Sequence, residues 1–236
     1  MAIIVHKKAF AKGVILAVLF FAVLAFLFSP SFEGDNAFHY SDRLFNSISK
    51  GSTNYFPKLR DENQPFVGKQ VELVVKLEDE TIKKDAAVLL TAAGANVGTM
   101  AEGLSVQGDF GKIVEASIAD GELLFFNKGE DVVKKYNIEE KRALYTWWTL
   151  LKSTIKSLNS QRLFKEAQLV NEVINRGVEV GYNFYKIEPE SAKSKAGILI
   201  FALIFYVVYT LWWGFAVFYI TEGFGLELTG GHKEET

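Results

Sequence analysis

Ala196–Ile220 reads AGILIFALIFYVVYTLWWGFAVFYI, with no charged, amide or imidazole side chain. Wound as a helix it is about 37 Å long, more than the roughly 30 Å hydrocarbon core of a bilayer. Hydrocarbon solvates no charge and offers the backbone no partner, so a run of this kind reads as a membrane-crossing helix. Tyr206, Tyr209, Trp212, Trp213 and Tyr219 lie mostly toward its later half. There indole and phenol groups reach a headgroup region.

A second apolar run, Gly13–Phe28 (GVILAVLFFAVLAFLF), stands near the other end. At about 24 Å it is short for a span. Lys12 can snorkel outward, and the segment through Phe32 can fill the far interface. A cleaved signal peptide is the competing reading. The run exceeds a usual signal h-region and no small-x-small cleavage site follows Phe28, so a retained signal anchor is expected.

Sidedness follows from charge. Lys7, Lys8 and Lys12 precede the first run, and Glu33 and Asp35 follow it, which favours a cytoplasmic amino terminus and a translocated central domain. Lys193 and Lys195 on the domain side of the second run argue the other way. Long loops translocate largely regardless of charge, so the first helix carries more weight. The expected place is an inner membrane with the domain in the periplasm.

The expected fold class is thus a membrane-anchored α+β protein, two transmembrane helices flanking a soluble domain. Residues 1–12 and 221–236 form cytoplasmic ends, and 13–32 and 196–220 the two spans. Between them, 33–68 is an entry segment, 69–128 a small α/β sheet domain, and 129–188 a helical hairpin.

In the entry segment Ser41 is expected to cap a short helix through Ser49, with Leu44, Phe45 and Ile48 on one face. Val71, Leu73, Val75 and Leu77 then alternate with Glu72, Val74 and Lys76, the pattern of a strand with one buried face. Glu80–Ala93 follows as an amphipathic helix stopped by Gly94. Asn96–Met100 and Leu104–Gln107 suit a hairpin, and Asp109 suits the cap of a helix carrying Phe110, Ile113, Val114, Ser117 and Ile118. Strand, helix, hairpin, helix is the order of a ferredoxin-like βαββαβ unit, with Glu122–Phe126 as its fourth strand. That last segment equally continues a helical period.

From Ile138 the period is helical, and a break at Asn159–Gln161 divides an antiparallel hairpin whose Lys165 and Glu166 read as a solvated face. Trp147 and Trp148 point about 100° apart on one helix, so they cannot share a narrow stripe. Either one faces the partner helix and the other the sheet, or one ring is an exposed anchor for another subunit. The cluster Tyr182, Phe184 and Tyr185 reads as a foot on the membrane interface, or else as hairpin core. Candidate partner-docking residues are Trp147, Trp148, Tyr182, Tyr185, Trp212 and Trp213. The runs Leu44–Thr53 (LFNSISKGST) and Tyr182–Glu190 (YNFYKIEPE) stand at the two membrane exits.

The chain has no cysteine, which removes disulfides, thiolate metal sites, iron–sulfur clusters and cysteine nucleophiles. His6, His39 and His232 are the only histidines, and none lies within a span, so a haem held by histidine pairs in the membrane is excluded for this chain alone. Lys and Arg number 26 against 28 Asp and Glu, a balance that draws no nucleic acid. No phosphate loop, HExxH or EF-hand motif is present.

The expected function is a non-catalytic accessory or structural subunit of a larger inner-membrane complex, a transporter or respiratory assembly. Its expected partners are integral membrane proteins or a second copy, and the bilayer; no cofactor or metal is expected. An extracytoplasmic small-ligand sensing module acting through a partner is the alternative. An enzyme ranks third, since His39 stands without a nucleophile motif.

Overall fold

A computed structural model describes residues 4–226; the amino-terminal three residues and the tail from 227, His232 included, lie outside the described residues. The helices are α1 (Lys7–Phe28), α2 (Ala37–Ser52), α3 (Phe56–Asn63), α4 (Glu80–Ala92), α5 (Phe110–Phe125), α6 (Gly129–Tyr136), α7 (Glu140–Ser160), α8 (Phe164–Val173), α9 (Glu179–Asn183) and α10 (Ala196–Gly223). The strands are β1 (Gln70–Lys76), β2 (Asn96–Met100) and β3 (Gly103–Asp109). Two compact units result, one ending at Ile48 and resuming at Glu190, the other Ser49–Pro189.

The first unit is built on α1 and α10, which are long and apolar enough to cross a membrane. They run antiparallel: Leu16 meets Trp212, Phe20 meets Tyr209, and the Val5 N–H donates to Gly223 O at 2.9 Å. Only Gly13 of α1 is buried, and only Ala216 and Gly223 of α10. Gly13 permits the approach, since a Cβ there would lie 2.6 Å from Ile220 N and 2.9 Å from Ala216 O. Small residues at such crossings let helix backbones draw close. The remaining surface of both helices is almost wholly apolar and uncovered, which water tolerates poorly. In α2 the Asn36 Oδ1 accepts from the N–H groups of Phe38 and His39, so the helix starts earlier than the expected Ser41 cap; the Ser41 hydroxyl bonds Ala37 O instead.

In the second unit β1 alternates as expected, with Val71, Leu73 and Val75 inward. The sheet has three strands in the order β1-β3-β2, each neighbour antiparallel. Thus β1 and β2 are parallel, α4 is their crossover, and β3 lies between them. Asp79 caps α4 by accepting from Thr81 and Ile82, and Asp109 caps α5 by accepting from Lys112. An N-cap oxygen of this kind satisfies backbone donors that have no partner inside the helix.

The fourth strand does not form. Glu122–Phe126 finishes α5 instead, burying Leu124 and Phe125. Gly121 and Gly181 bring α5 and α9 together; a Cβ on Gly181 would lie 2.9 Å from Gly121 Cα. The free edge of β1 is met by α7. Ser153 Oγ donates to Lys76 O at 2.9 Å, Ser157 Oγ accepts from Val74 N–H at 3.2 Å, and Gln161 Nε2 donates to Glu72 O at 2.8 Å. Four helical residues rise about 6 Å and two strand residues about 6.6 Å, so serial side chains on one helix face keep step with an exposed strand edge.

Past the turn at Arg162, α8 packs on α7. Glu166 is buried and ion-paired with Lys69, not on a solvated face as expected; the Lys69 ammonium compensates the buried charge. A single π turn, Ile174–Val178, joins α8 to α9.

Candidate docking groove

Trp147 and Trp148 part as helical geometry requires. Trp147 is fully buried, and its Nε1 donates to Asp120 Oδ2 at 2.7 Å. Tyr136 OH donates to the same oxygen at 2.6 Å, and Lys135 Nζ to Oδ1 at 3.0 Å. Asp120 is itself fully buried, a carboxylate tolerable there because three donors replace its water. Burial first, then the adjacent carboxylate, pushes the Tyr136 phenol up. Trp147 is therefore a core residue and not a surface anchor; the donors around Asp120 hold its indole inward.

Trp148 is half-buried and lines a groove. Its Nε1 donates to Glu179 Oε1 at 2.8 Å, and the Tyr145 ring stacks on it with centroids 5.8 Å apart. Lys152 Nζ stands 3.7 Å from the Trp148 ring centroid, and Lys141 Nζ 4.8 Å from that of Tyr182. A cavity of about 370 Å³ lies among Leu144, Tyr145, Trp148, Val178, Glu179 and Tyr182. The π turn sets one wall. Such a turn inserts a residue into the helical count and so re-aims the side chains after it, here Glu179 and Tyr182. The result is an aromatic floor, a half-buried carboxylate and two ammonium groups held against rings.

Tyr185 has a different place from Tyr182. It is buried, and its OH donates to Glu140 Oε1 at 2.9 Å. Burial, reinforced by that bond, pushes the phenol up to about 12. Backbone and Tyr185 donors hold the Glu140 carboxyl below its usual range. Phe184 packs edge-on against Phe125. Tyr185 is thus core, held against α7, Phe184 is half-buried against α5, and only Tyr182 of the three lines the groove. In α10, Trp212 Nε1 donates to Leu16 O at 3.1 Å, and Trp213 lies against Phe20 and Phe21. Trp212 therefore bonds its neighbouring helix rather than a headgroup region.

Sequence reading missed Lys50. Its ammonium is buried and donates to Asn127 Oδ1 at 3.0 Å, Phe184 O at 3.0 Å and Ile187 O at 2.5 Å. Desolvation lowers its pKa, with the Glu188 charge opposing. The runs Leu44–Thr53 and Tyr182–Glu190 thereby meet through one side chain. Only their placement at corresponding ends hinted at this.

No protein-family model, curated protein or solved structure matches this chain. Among the described residues no group of three or more His, Asp or Glu side chains is placed to hold a metal ion.

Proposed function

We propose that this protein is a non-catalytic accessory subunit of a membrane complex, held in the bilayer by α1 and α10 and offering the Trp148 groove to a partner outside the cytoplasm. The observation that carries this reading is the groove itself: three aromatic side chains around a cavity of about 370 Å³, flanked by Lys141 and Lys152. Aromatic residues in a partly desolvated pocket are the usual anchors of protein recognition. The flanking ammonium groups favour an apolar anchor segment that carries acidic neighbours. An amino end with Lys7, Lys8 and Lys12 stays in the cytoplasm by the charge rule, and the antiparallel pairing of α1 with α10 returns the chain to the same face.

The test is purification of the full chain from membranes in mild detergent. The wild type is expected to retain an integral membrane protein that Trp148→Ala and Tyr182→Ala lose. A solitary monomer with no reproducible companion overturns the proposal.

A second reading takes the same cavity as a small-ligand site, since its volume falls within the range of about 300–1,000 Å³ typical of such pockets. A metabolite that raises the melting temperature of the wild type, but not of Trp148→Ala, would favour it.

A further inference from the structure

We infer that a second groove, between α1 and α10, binds one anionic phospholipid, its phosphate on the Lys12 ammonium and one acyl chain lying along Trp212. This rests on the reading that the two helices cross a bilayer. It does not depend on the Trp148 groove.

The cavity measures about 550 Å³. Lys12 and Tyr219 stand at one end, with Phe215, Trp212, Leu211 and Val208 continuing from them along α10. Lys12 Nζ sits 3.9 Å from the Tyr219 ring centroid and has no carboxylate ion-pair partner among the described residues. Lys12 is solvent-exposed, so a bound anion meets no steric barrier at that end. The rest of the groove is hydrocarbon. Trp212, the indole in its wall, already gives its N–H to Leu16 O, leaving a polar ligand little to bond.

Length and charge select the occupant. From Val208 to Tyr219 the helix rises about 16 Å, close to the extended reach of a common acyl chain. At the Lys12 end the described residues supply Lys7, Lys8 and Lys12 against Glu222. A net positive cluster at a membrane surface attracts anionic headgroups over zwitterionic ones. A partner's transmembrane helix would match this groove only by bringing a carboxylate of its own to the Lys12 end, which an anionic headgroup supplies without one.

The experiment uses full-length protein reconstituted in nanodiscs of phosphatidylcholine with phosphatidylglycerol, and reads retained lipid by native mass spectrometry after transfer to detergent. The wild type is expected to retain one phosphatidylglycerol in preference to phosphatidylcholine. Lys12→Gln should weaken that retention about fivefold, as loss of one lysine contact at a membrane surface implies. Leu211→Trp, which fills the groove without touching Lys12, should weaken it too. Equal retention of the two lipids, or no change in Lys12→Gln, overturns the lipid site while leaving the membrane anchor intact. A photo-crosslinker at Leu211 that captures a protein instead of lipid overturns it in favour of a partner helix. Release of the wild type by alkaline carbonate overturns both the site and the anchor beneath it.

Discussion

Ser157 Oγ accepts the backbone N–H of Val74 at 3.2 Å, so a helix side chain takes the position a neighbouring strand would fill. An uncovered strand edge is a template for pairing with other chains. Ser153, Ser157 and Gln161 close this one while leaving the sheet at three strands. The triple variant Ser153→Ala/Ser157→Ala/Gln161→Ala is expected to lose about 1–3 kcal/mol, roughly a bond's net worth at each site where water can re-enter. Denaturant unfolding measures the loss. Concentration-dependent self-association by light scattering should accompany it; a variant as stable and as monomeric as the wild type would remove the edge-capping role.

The adjacent tryptophans should separate cleanly. Trp147→Phe leaves Asp120 short of a buried donor and opens a small void, an expected cost of about 2–3 kcal/mol. Trp148→Phe, on the groove, should cost less than about 1 kcal/mol. Unfolding midpoints of the two single variants decide it, and equal losses would contradict the burial assigned to them.

Tyr185 and Glu140 give a pH signature. The phenol's folded pKa of about 12 lies above the ordinary 10.0, so its contribution is complete below pH 10 and vanishes as pH rises to 12. Glu140 is shifted the other way. Its contribution is complete above the ordinary carboxylate value of 4.5 and is lost as pH falls through its lowered value. Stability of the wild type relative to Tyr185→Phe is therefore expected to plateau between these limits and fall at both ends. Absorbance of tyrosinate during an alkaline titration should show one late-ionising phenol fewer in the variant.

Pairing of α1 with α10 can be locked covalently. A Cβ on Gly225 would lie 3.4 Å from Val5 Cβ, close to the 3.5–4.5 Å or so that a disulfide spans. The natural chain has no cysteine to compete. Val5→Cys/Gly225→Cys should therefore form an intramolecular bridge on mild oxidation, seen as faster migration in non-reducing gels. The positive φ of Gly225 adds about 1–2 kcal/mol of strain to the substituted chain. Adding Gly13→Leu, which forces the helices apart at Ile220, should abolish the bridge.

The elements most legible in the sequence are those where local chemistry and burial agree. Alternation at Val71, Leu73 and Val75 marked β1, and Asp109 marked the start of α5. Glu122–Phe126 was ambiguous because a short apolar run suits a strand or a helix equally; the choice was made by glycine contacts with α9 that no local pattern records. Asp120, Glu166 and Lys50 were illegible for a shared reason. A charged residue in a helix reads as solvated until its partners, remote in sequence, are known. The π turn that aims Glu179 and Tyr182 left no signature beyond Gly177, so the groove's second wall could not be foreseen from Trp148.

Lys50 reaches from the start of the Ser49–Pro189 unit to the carbonyls near its finish, which places that unit's entrance and exit side by side. Polypeptide with neighbouring ends behaves as a cassette. It can be cut out and replaced by a few flexible residues, or its ends sewn together and reopened elsewhere, while the pairing of α1 with α10 stands on its own contacts. Evolution has the same freedom, and a hairpin of this build can carry a different cargo with little redesign.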